Sequence, residues 1–193
     1  MNTSNRRKTM ARLNQVDPAT AEGKTKELLD GIKKKSGMVP NILKHIAAST
    51  AALEGYLNFS GALASTGISD KLREQIALTT ATVNGCDYCT AAHSAVAKMR
   101  GLSQDEILDA RRGTSADSRV AAALTFANAI VEKKGFVSDV ELDKVRQAGY
   151  TDGEIVEIVA VVSLNIFTNY INHVVETEID FPKAPELEPA ATH

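Results

Sequence analysis

The sequence has too few cysteines, too little net charge and too short apolar runs for several large classes of protein. Its 193 residues include only two cysteines, which cannot form a scaffold of disulfide bonds. The formal net charge of −2 creates no strong field toward nucleic acid or an anionic membrane. No run of about eighteen apolar residues is present, so no membrane span is predicted. A dinucleotide fingerprint and a phosphate-binding loop are also missing, so electrons for any redox reaction must come from another protein or a small thiol.

The composition that remains is that of an ordinary water-soluble globular protein. Apolar residues make up 44% of the chain and charged residues 24%. Arg6 and Arg7 lie near the start, but no apolar run follows them, which argues against a secretory or twin-arginine signal. We therefore predict a cytoplasmic protein. In a reducing compartment, a close pair of cysteines is typical of metal binding or redox chemistry.

The apolar periodicity is helical along nearly the whole chain, and the signals for strands are poor. We predict an all-α fold with one helical domain over residues 17–181. An N-terminal extension, residues 1–16, precedes the domain, and a loose C-terminal tail, residues 182–193, follows it. The first helix is predicted to begin at Pro18, with Asp17 as its N-cap.

Three later helices are predicted to begin with the same local pattern. A glycine ends the preceding helix, an apolar residue follows, and Ser69, Ser103 or Thr151 caps the next helix. Two explanations of this pattern stay open. One is simple reuse of good capping residues, and the other is an internal helical repeat between residues 69–93 and 151–176. Where the first copy has its two cysteines, the second has asparagines at the same spacing, Asn169 and Asn172.

The helix predicted to begin at residue 152 is apolar on more than one side between Ile155 and Phe167. A surface helix of a monomer needs only one apolar stripe. The excess predicts either a central core helix or a subunit interface, and the sequence leaves both open.

The residues that carry chemistry lie in the segment NGCDYCTAAH, residues 84–93. Gly85 ends the preceding helix, so Cys86 is predicted at the N-terminus of the next one. Unpaired backbone amides and the helix dipole favour an anion there, and a thiol in that setting ionises more readily. Cys89 lies one turn further on the same face. One sulfur of such a pair can attack a substrate while the other resolves the oxidised intermediate as a disulfide.

His93 follows Cys89 by four residues, so its imidazole is predicted to lie over Cys89 on the helix surface. The neutral ring could take the thiol proton, and the imidazolium could stabilise the thiolate. Glu74, on the preceding helix, could orient the ring if the two helices pack antiparallel. The helix dipole alone favours Cys86 as the stronger thiolate, whereas the neighbouring His93 favours Cys89.

Together these residues resemble the alkylhydroperoxidase D (AhpD) pattern of the carboxymuconolactone decarboxylase-like superfamily. The segment NGCDYCTAAHSAVAKMRGLS, residues 84–103, is especially similar to the peroxidase-related branch. The resemblance is dense over residues 67–112 and looser over residues 38–180. It implies an AhpD-like helical bundle assembled as a homotrimer, or as a homohexamer built from trimers. It also implies reduction of a hydroperoxide substrate with an external thiol or a redox-protein reductant, or service as a dithiol/disulfide oxidoreductase to a partner peroxidase. We predict no cofactor and no metal.

The resemblance also assigns roles to individual residues. Cys89 resembles the attacking thiol, Cys86 the resolving thiol, and His93 with Glu74 the proton relay. Tyr88 departs from the pattern, because the best-known members have a histidine immediately before the second cysteine. A tyrosine can donate a hydrogen bond to a sulfur or a peroxide oxygen, but it is a poor base at neutral pH. The proton relay would therefore be shorter in this chain.

Three other functions remain open from the sequence. A zinc module would use both cysteines and His93, with Glu74, His45 or His173 as the fourth ligand. A redox sensor would form the disulfide without sustained turnover. A lactone decarboxylase, suggested by the superfamily name, would keep its activity without the cysteines.

Overall fold

The computed structural model of the protein describes residues 12–187, and in this range the chain is all α-helical without a β-strand. The predicted fold class is therefore confirmed. Residues 1–11 of the predicted extension and residues 188–193 of the predicted tail lie outside the described residues. The nine helices between residues 12 and 187 are α1 (Gly23–Ser36), α2 (Asn41–Ile46), α3 (Thr50–Leu63), α4 (Asp70–Val83), α5 (Asp87–Met99), α6 (Gln104–Arg111), α7 (Ser118–Glu132), α8 (Asp139–Gln147) and α9 (Asp152–Val175).

Helix α4 lies at the centre of the molecule and packs against α5, α6, α7 and α9. Its central position explains its composition, because four of its polar side chains are buried, those of Glu74, Gln75, Thr79 and Thr80. The Thr79 hydroxyl donates to the Gln75 carbonyl and the Thr80 hydroxyl donates to the Ile76 carbonyl, so neither is left unpaired. Glu74 is carried by this helix and is therefore fixed in the interior, with 8% of its surface exposed.

Two clusters of buried apolar side chains stabilise the bundle. The larger one joins α4 to α6, α7, α8 and α9 around fully buried residues such as Leu78, Leu124 and Ile158. Burial of one such side chain contributes roughly 1.5–3 kcal/mol. The smaller cluster joins α1, α2 and α3 to the junction of α4 and α5, and it includes both cysteines. The cysteine pair is therefore part of the packing that holds the N-terminal helices in place.

Helix α9 passes through the centre of the fold and contacts α2, α3, α4, α5 and α7. By length and composition alone it could cross a membrane, with a mean hydropathy of 1.5 in its most apolar window, of which 39% is buried inside the fold. Its contacts with five other helices show that α9 is a core helix, one of the two possibilities that the sequence leaves open. A row of apolar side chains stays on its exposed side: Val156, Val159, Phe167, Tyr170 and Val174. The subunit interface also allowed by the sequence therefore stays a prediction.

The predicted capping residues begin their helices. The side-chain oxygens of Ser69, Ser103 and Thr151 accept hydrogen bonds from the third amide of α4, α6 and α9. At Ser103 and Thr151 a glutamate three residues later completes a capping box. Each such cap is worth about 1 kcal/mol of helix stability. The candidate internal repeat that includes two of these caps stays a prediction.

The prediction for the start of the first helix is wrong. Asp17 does not cap a helix but closes a turn, in which its carbonyl and carboxylate accept hydrogen bonds from the amides of residues 19–21. Helix α1 begins only at Gly23, after an extended Glu22. Gly23 has φ of +55°, a left-handed conformation that cannot continue a right-handed helix from Pro18.

Residues 176–187, called the C-terminal strap here, leave α9 and cross the molecule as extended chain. The Asp180 carboxylate accepts a hydrogen bond from the Asn41 backbone amide at 2.9 Å, which ties the strap to the start of α2. Further on, the Arg111 guanidinium donates to the Pro185 carbonyl. The strap thus covers the first turn of α5, where the cysteines lie.

Candidate active site

The junction between α4 and α5 presents the two cysteines. Helix α4 ends at Val83, and Gly85 turns the chain with φ of +66°. Cys86 then serves as the N-cap of α5, and its sulfur accepts a hydrogen bond from the Cys89 amide at 3.4 Å. The structure therefore places Cys86 at the helix N-terminus, as the sequence predicted, with its own sulfur in the position of a capping oxygen.

The two sulfurs lie close together, unbonded and buried, but in different surroundings. Cys86 is 2% exposed and Cys89 is 3% exposed. Cys89 lines a cavity, whereas Cys86 does not line it and lies behind Cys89 in the smaller apolar cluster. A molecule in this cavity would therefore meet Cys89 first.

The surroundings shift the two thiol pKa values in opposite directions. A hydrogen bond from the Cys86 thiol lowers the pKa of Cys89 to about 7 against the effect of burial, and Asn169, Asn172 and Thr168 lower it further. The same hydrogen bond, together with burial, raises the pKa of Cys86. At neutral pH the shared proton therefore stays on Cys86, and Cys89 carries much of the negative charge.

Helix α9 supplies the polar groups around the Cys89 sulfur. The Asn172 side-chain nitrogen donates to that sulfur at 3.1 Å, and the Thr168 hydroxyl oxygen lies 4.0 Å from it. The Asn169 side-chain oxygen accepts a hydrogen bond from the Asn84 side chain at 2.8 Å. Asn169 and Asn172 are three residues apart in the sequence, as Cys86 and Cys89 are. Nothing in the sequence indicates that these asparagines contact the cysteines.

Glu74 and His93 lie together, as the sequence predicted. His93 Nδ1 is 2.8 Å from Glu74 Oε2, which leaves His93 Nε2 for other partners. The second carboxylate oxygen is 3.3 Å from Arg100 Nε, and Arg100 also pairs with Asp70. The carboxylate is thus held from two sides. Arg100 was missed in the sequence, because it lies seven residues beyond His93 and no recognised pattern includes it.

Within residues 12–187, the imidazole of His93 is not joined to the sulfur of Cys86 or Cys89 by a hydrogen bond. Instead, His93 and Cys89 line the same cavity. A proton passing between them would have to travel through a molecule bound in that cavity.

The cavity beside Cys89, called the Cys89 cavity here, has a volume of about 280 Å³. Three aromatic rings, those of Tyr56, Tyr88 and Phe181, form part of its wall, and Glu74, His93 and Arg100 form a polar corner. This combination of apolar wall and few polar groups is typical of a site for a small organic molecule.

Tyr88 binds the C-terminal strap. Its hydroxyl donates to the Asp180 carboxylate at 2.7 Å and accepts from the Ile42 amide at 3.3 Å. Its ring meets the Phe181 ring edge-on at 5.7 Å between centroids. Burial and the hydrogen bond to Asp180 raise the pKa of Tyr88. Donation to a sulfur or a peroxide would require the bond to Asp180 to break, so the catalytic role of Tyr88 stays a prediction.

The other proposed zinc ligands lie elsewhere. His45 is buried and its Nε2 is 3.2 Å from the Gln15 side chain, while His173 is exposed. Among residues 12–187 no group of three or more His, Cys, Asp or Glu side chains is arranged to hold a metal ion. The geometry of the described residues therefore gives no support to a zinc module.

Comparison with known proteins relates this arrangement to one family. Residues 50–133 match the model of the Carboxymuconolactone decarboxylase family, a segment that runs from α3 into α7 and includes Glu74, both cysteines and His93. Among curated protein sequences, none is significantly similar to the chain.

Several solved structures have the same fold. An uncharacterized peroxidase-related protein from Ralstonia eutropha JMP134, with an alkylhydroperoxidase AhpD core, has a TM-score of 0.80 and 20% identity over 89% of this chain and 93% of its own. An uncharacterized peroxidase-related protein from Silicibacter sp. TM1040 has a TM-score of 0.79 and 23% identity over 91% of this chain and 94% of its own. The debrominase Bmp8, a cysteine-to-alanine variant in complex with 2,3,4-tribromopyrrole, has a TM-score of 0.76 and 18% identity over 88% of this chain and 91% of its own.

Proposed function

We propose that this chain, whose family match and AhpD-like fold support its place in the carboxymuconolactone decarboxylase/AhpD-like superfamily, is a thiol-dependent peroxidase that reduces organic hydroperoxides. The superfamily resemblance predicted from the sequence is thereby confirmed, as is the AhpD-like fold. The observation that carries the proposal is the position of Cys89 between a small cavity on one side and a second thiol on the other.

The first step is attack of the Cys89 thiolate on one oxygen of the hydroperoxide ROOH. The O–O bond breaks, the sulfur is oxidised to a sulfenic acid, and the alkoxide RO⁻ leaves. The alkoxide needs a proton, and His93 delivers it from the polar corner of the cavity with Glu74 stabilising the imidazolium. The separation of His93 from the sulfur suits this role, because the substrate lies between them.

The second step uses Cys86. Its sulfur attacks the sulfenic acid on Cys89, the S–O bond breaks, and water leaves as the disulfide forms. The overall change is ROOH plus two protein thiols to ROH, water and a disulfide. An external dithiol or a redox protein then reduces the disulfide, since the described residues 12–187 include no further cysteine.

Steady-state assays of cumene hydroperoxide reduction with a dithiol donor test the proposal. We expect turnover by the wild type, none by Cys89→Ser, and slower turnover by Cys86→Ser, in which the dithiol itself must reduce the sulfenic acid. Thiol titration after peroxide treatment should find the wild type fully oxidised and restored by the dithiol. Equal rates in the wild type and Cys89→Ser would disprove the peroxidase.

The same experiment separates the proposal from the alternatives that remain. A redox sensor would form the disulfide with peroxide but would not sustain consumption of the dithiol. A lactone decarboxylase would act on its lactone with both cysteines changed to serine. Of the two, only the lactone decarboxylase leaves the position of Cys89 at the cavity unexplained.

A second candidate reaction is reductive removal of halogen from an aromatic ring. The aromatic wall of the Cys89 cavity, formed by Tyr56, Tyr88 and Phe181, favours a flat ring, and Bmp8 has this fold and is a debrominase. The balance again uses two thiols: an aryl bromide and two thiols give the arene, bromide, a proton and a disulfide. Release of bromide from 2,3,4-tribromopyrrole, measured beside cumene hydroperoxide reduction, distinguishes the two reactions. Bromide release without hydroperoxide reduction would replace the peroxidase proposal.

The assembly and location remain proposals. We propose a cytoplasmic homotrimer or homohexamer. The apolar row on the exposed side of α9 supports the assembly, because such a row is a candidate subunit interface. Measurement of the mass in solution tests it: a monomer at micromolar concentration would contradict it.

A further inference from the structure

The polar side chains buried on α9 differ in what they bind. The Asn165 side chain donates to the Val161 carbonyl of its own helix, and the Thr168 hydroxyl donates to the Asn165 carbonyl. Asn169 and Asn172, which are 0% and 4% exposed, do not bond their own helix and instead reach toward the α4–α5 junction. A buried amide that lacks a partner destabilises the fold, so two such residues in an apolar helix call for a reason.

The contact of Asn172 with Cys89 is a close one. Its side-chain nitrogen lies 3.1 Å from the Cys89 sulfur, and both groups are shut off from solvent. A neutral thiol is a weak acceptor, whereas a thiolate accepts a stronger, charge-assisted hydrogen bond. The amide therefore stabilises the charged form of Cys89 more than the neutral form, and low solvent access increases the difference.

The orientation of Asn169 is fixed from the other side. Asn84, the C-cap of α4, donates to the Asn169 side-chain oxygen at 2.8 Å. The Asn169 nitrogen must then point away from Asn84. Within residues 12–187 this nitrogen has no hydrogen-bond partner that meets the usual geometric limits. It lies close enough to the Cys89 sulfur to favour the thiolate.

We propose that Asn172 is a catalytic residue that holds the Cys89 sulfur as an anion through a direct amide hydrogen bond, and that Asn169, oriented by Asn84, is a positioning residue of the same anion site. The proposal rests on the proposed function in one respect, the assignment of Cys89 as the attacking thiol. It makes α9 a second activator of the nucleophile beside the Cys86 thiol, while α4 and α5 supply the proton.

The anion site acts in both directions of the thiol cycle. In the forward direction it increases the fraction of Cys89 present as thiolate at neutral pH. In the return direction an external dithiol reduces the disulfide and is itself oxidised, and Asn172 receives the charge of the Cys89 thiolate that is regenerated. Stabilising the reduced form in this way makes the disulfide more oxidising.

Titration of the thiolate by its ultraviolet absorbance, without any peroxide present, tests the proposal. The Cys86→Ser background keeps an O–H donor beside Cys89 and assigns the titration to one sulfur. In that background we expect Asn172→Ala to raise the pKa of Cys89 by about one unit, a tenfold decrease in the ionisation constant of the thiol. Asn172→Asp, which has the shape of asparagine, should raise it more, because a carboxylate next to the sulfur repels its charge.

Asn165→Ala is the matched control. It removes a buried amide from the same helix, but one that bonds only its own backbone, so the titration should not change. In the chain with both cysteines, Asn172→Ala should also lower the reduction potential of the disulfide by about 30 mV per tenfold change in its equilibrium constant.

A Cys89 titration that is unchanged in both folded Asn172 variants would overturn the proposal. So would an equal shift in Asn165→Ala, because the effect would then come from general repacking of α9. Circular dichroism establishes that each variant is folded. Since the titration needs no substrate, it can succeed while the hydroperoxide assay fails, and the two proposals are judged separately.

Discussion

The candidate site has two halves that differ in how far apart their residues are in the sequence. The motif half, Glu74, Cys86, Cys89 and His93, comes from two consecutive helices. The C-terminal half consists of α9 residues and the strap, and its Asn172 is 83 residues away from the Cys89 that it contacts. The motif half contains the groups that react, and the C-terminal half helps to lower the pKa of one of them and closes the cavity.

The two activators that the sequence suggests, the N-terminus of α5 and the His93 imidazole, act on the thiols less directly than expected. In the sequence, the helix N-terminus favours Cys86, and the neighbouring imidazole favours Cys89. In the described part of the structure, no hydrogen bond joins His93 to Cys89. Cys89 is the thiol whose pKa is lowered, mainly by a hydrogen bond from Cys86 and then by side chains of α9. The lower pKa of Cys89 therefore depends on both halves, first on the Cys86 thiol and then on the side chains of α9.

The largest effect on alcohol release should come from replacing each of the two thiols in turn. In a single turnover with stoichiometric cumene hydroperoxide, Cys86→Ser should still release one alcohol per chain, because Cys89 keeps its cavity and an O–H neighbour. Cys89→Ser should release none, because Cys86 lies behind it and does not line the cavity. Product analysis by chromatography measures both. Release by Cys89→Ser alone would reverse the assignment.

The next largest effect concerns the proton. His93→Ala should lower the rate of alcohol release by about a hundredfold or more, because the leaving alkoxide loses its acid. It should leave the thiolate titration of Cys89 nearly unchanged, because no hydrogen bond joins the two side chains. Rapid-mixing kinetics and thiol titration check the two parts. His173→Ala, an exposed histidine on α9, is the control and should keep the full rate.

If His93→Ala instead raised the pKa of Cys89 as much as Asn172→Ala does, the division between the two halves would fail. The imidazole would then activate the thiol directly, as the sequence alone suggested.

A smaller effect is expected at Tyr88, which connects the two halves. Tyr88→Phe removes the part-buried hydrogen bond to Asp180 and should lower the free energy of unfolding by about 1–3 kcal/mol in urea titration. The rate of alcohol release should change far less than in His93→Ala, because the hydroxyl is bound to the strap. Tyr170→Phe, on an exposed tyrosine, should lower the free energy of unfolding by less than about 0.5 kcal/mol.

A fall in rate with unchanged stability in Tyr88→Phe would contradict this account. It would mean that the hydroxyl donates to the substrate and that its bond to Asp180 is only a resting arrangement.

The motif half could be predicted because it depends on local geometry. Gly85 marks the helix break, the three-residue step places Cys86 and Cys89 on one face, and antiparallel packing of α4 and α5 brings Glu74 to His93. The helical fold was equally accessible, since periodicity and capping residues are local signals. The one wrong helix start, at Pro18, came from a capping pattern that a left-handed Gly23 separates from the helix.

The C-terminal half could not be predicted in the same way. Asn169 and Asn172 were visible as polar residues in an apolar helix, but which group they meet depends on how α9 packs against the α4–α5 junction. Asp180 gave no signal, because its partners Asn41 and Tyr88 are distant in the sequence. In the sequence, a long-range contact of this kind is visible only as a polar residue in an otherwise apolar segment, which needs a partner if it is buried.

The pH dependence of alkylation, followed separately at each cysteine by mass spectrometry, tests the central claim most directly. A small reagent such as iodoacetamide can enter the Cys89 cavity. Because the pKa of Cys89 is lowered from its ordinary 9.0, its alkylation should rise with pH, reach half of its maximum near pH 7 and precede that of Cys86. Modification of Cys86 first, or a midpoint for Cys89 at or above 9.0, would contradict the account.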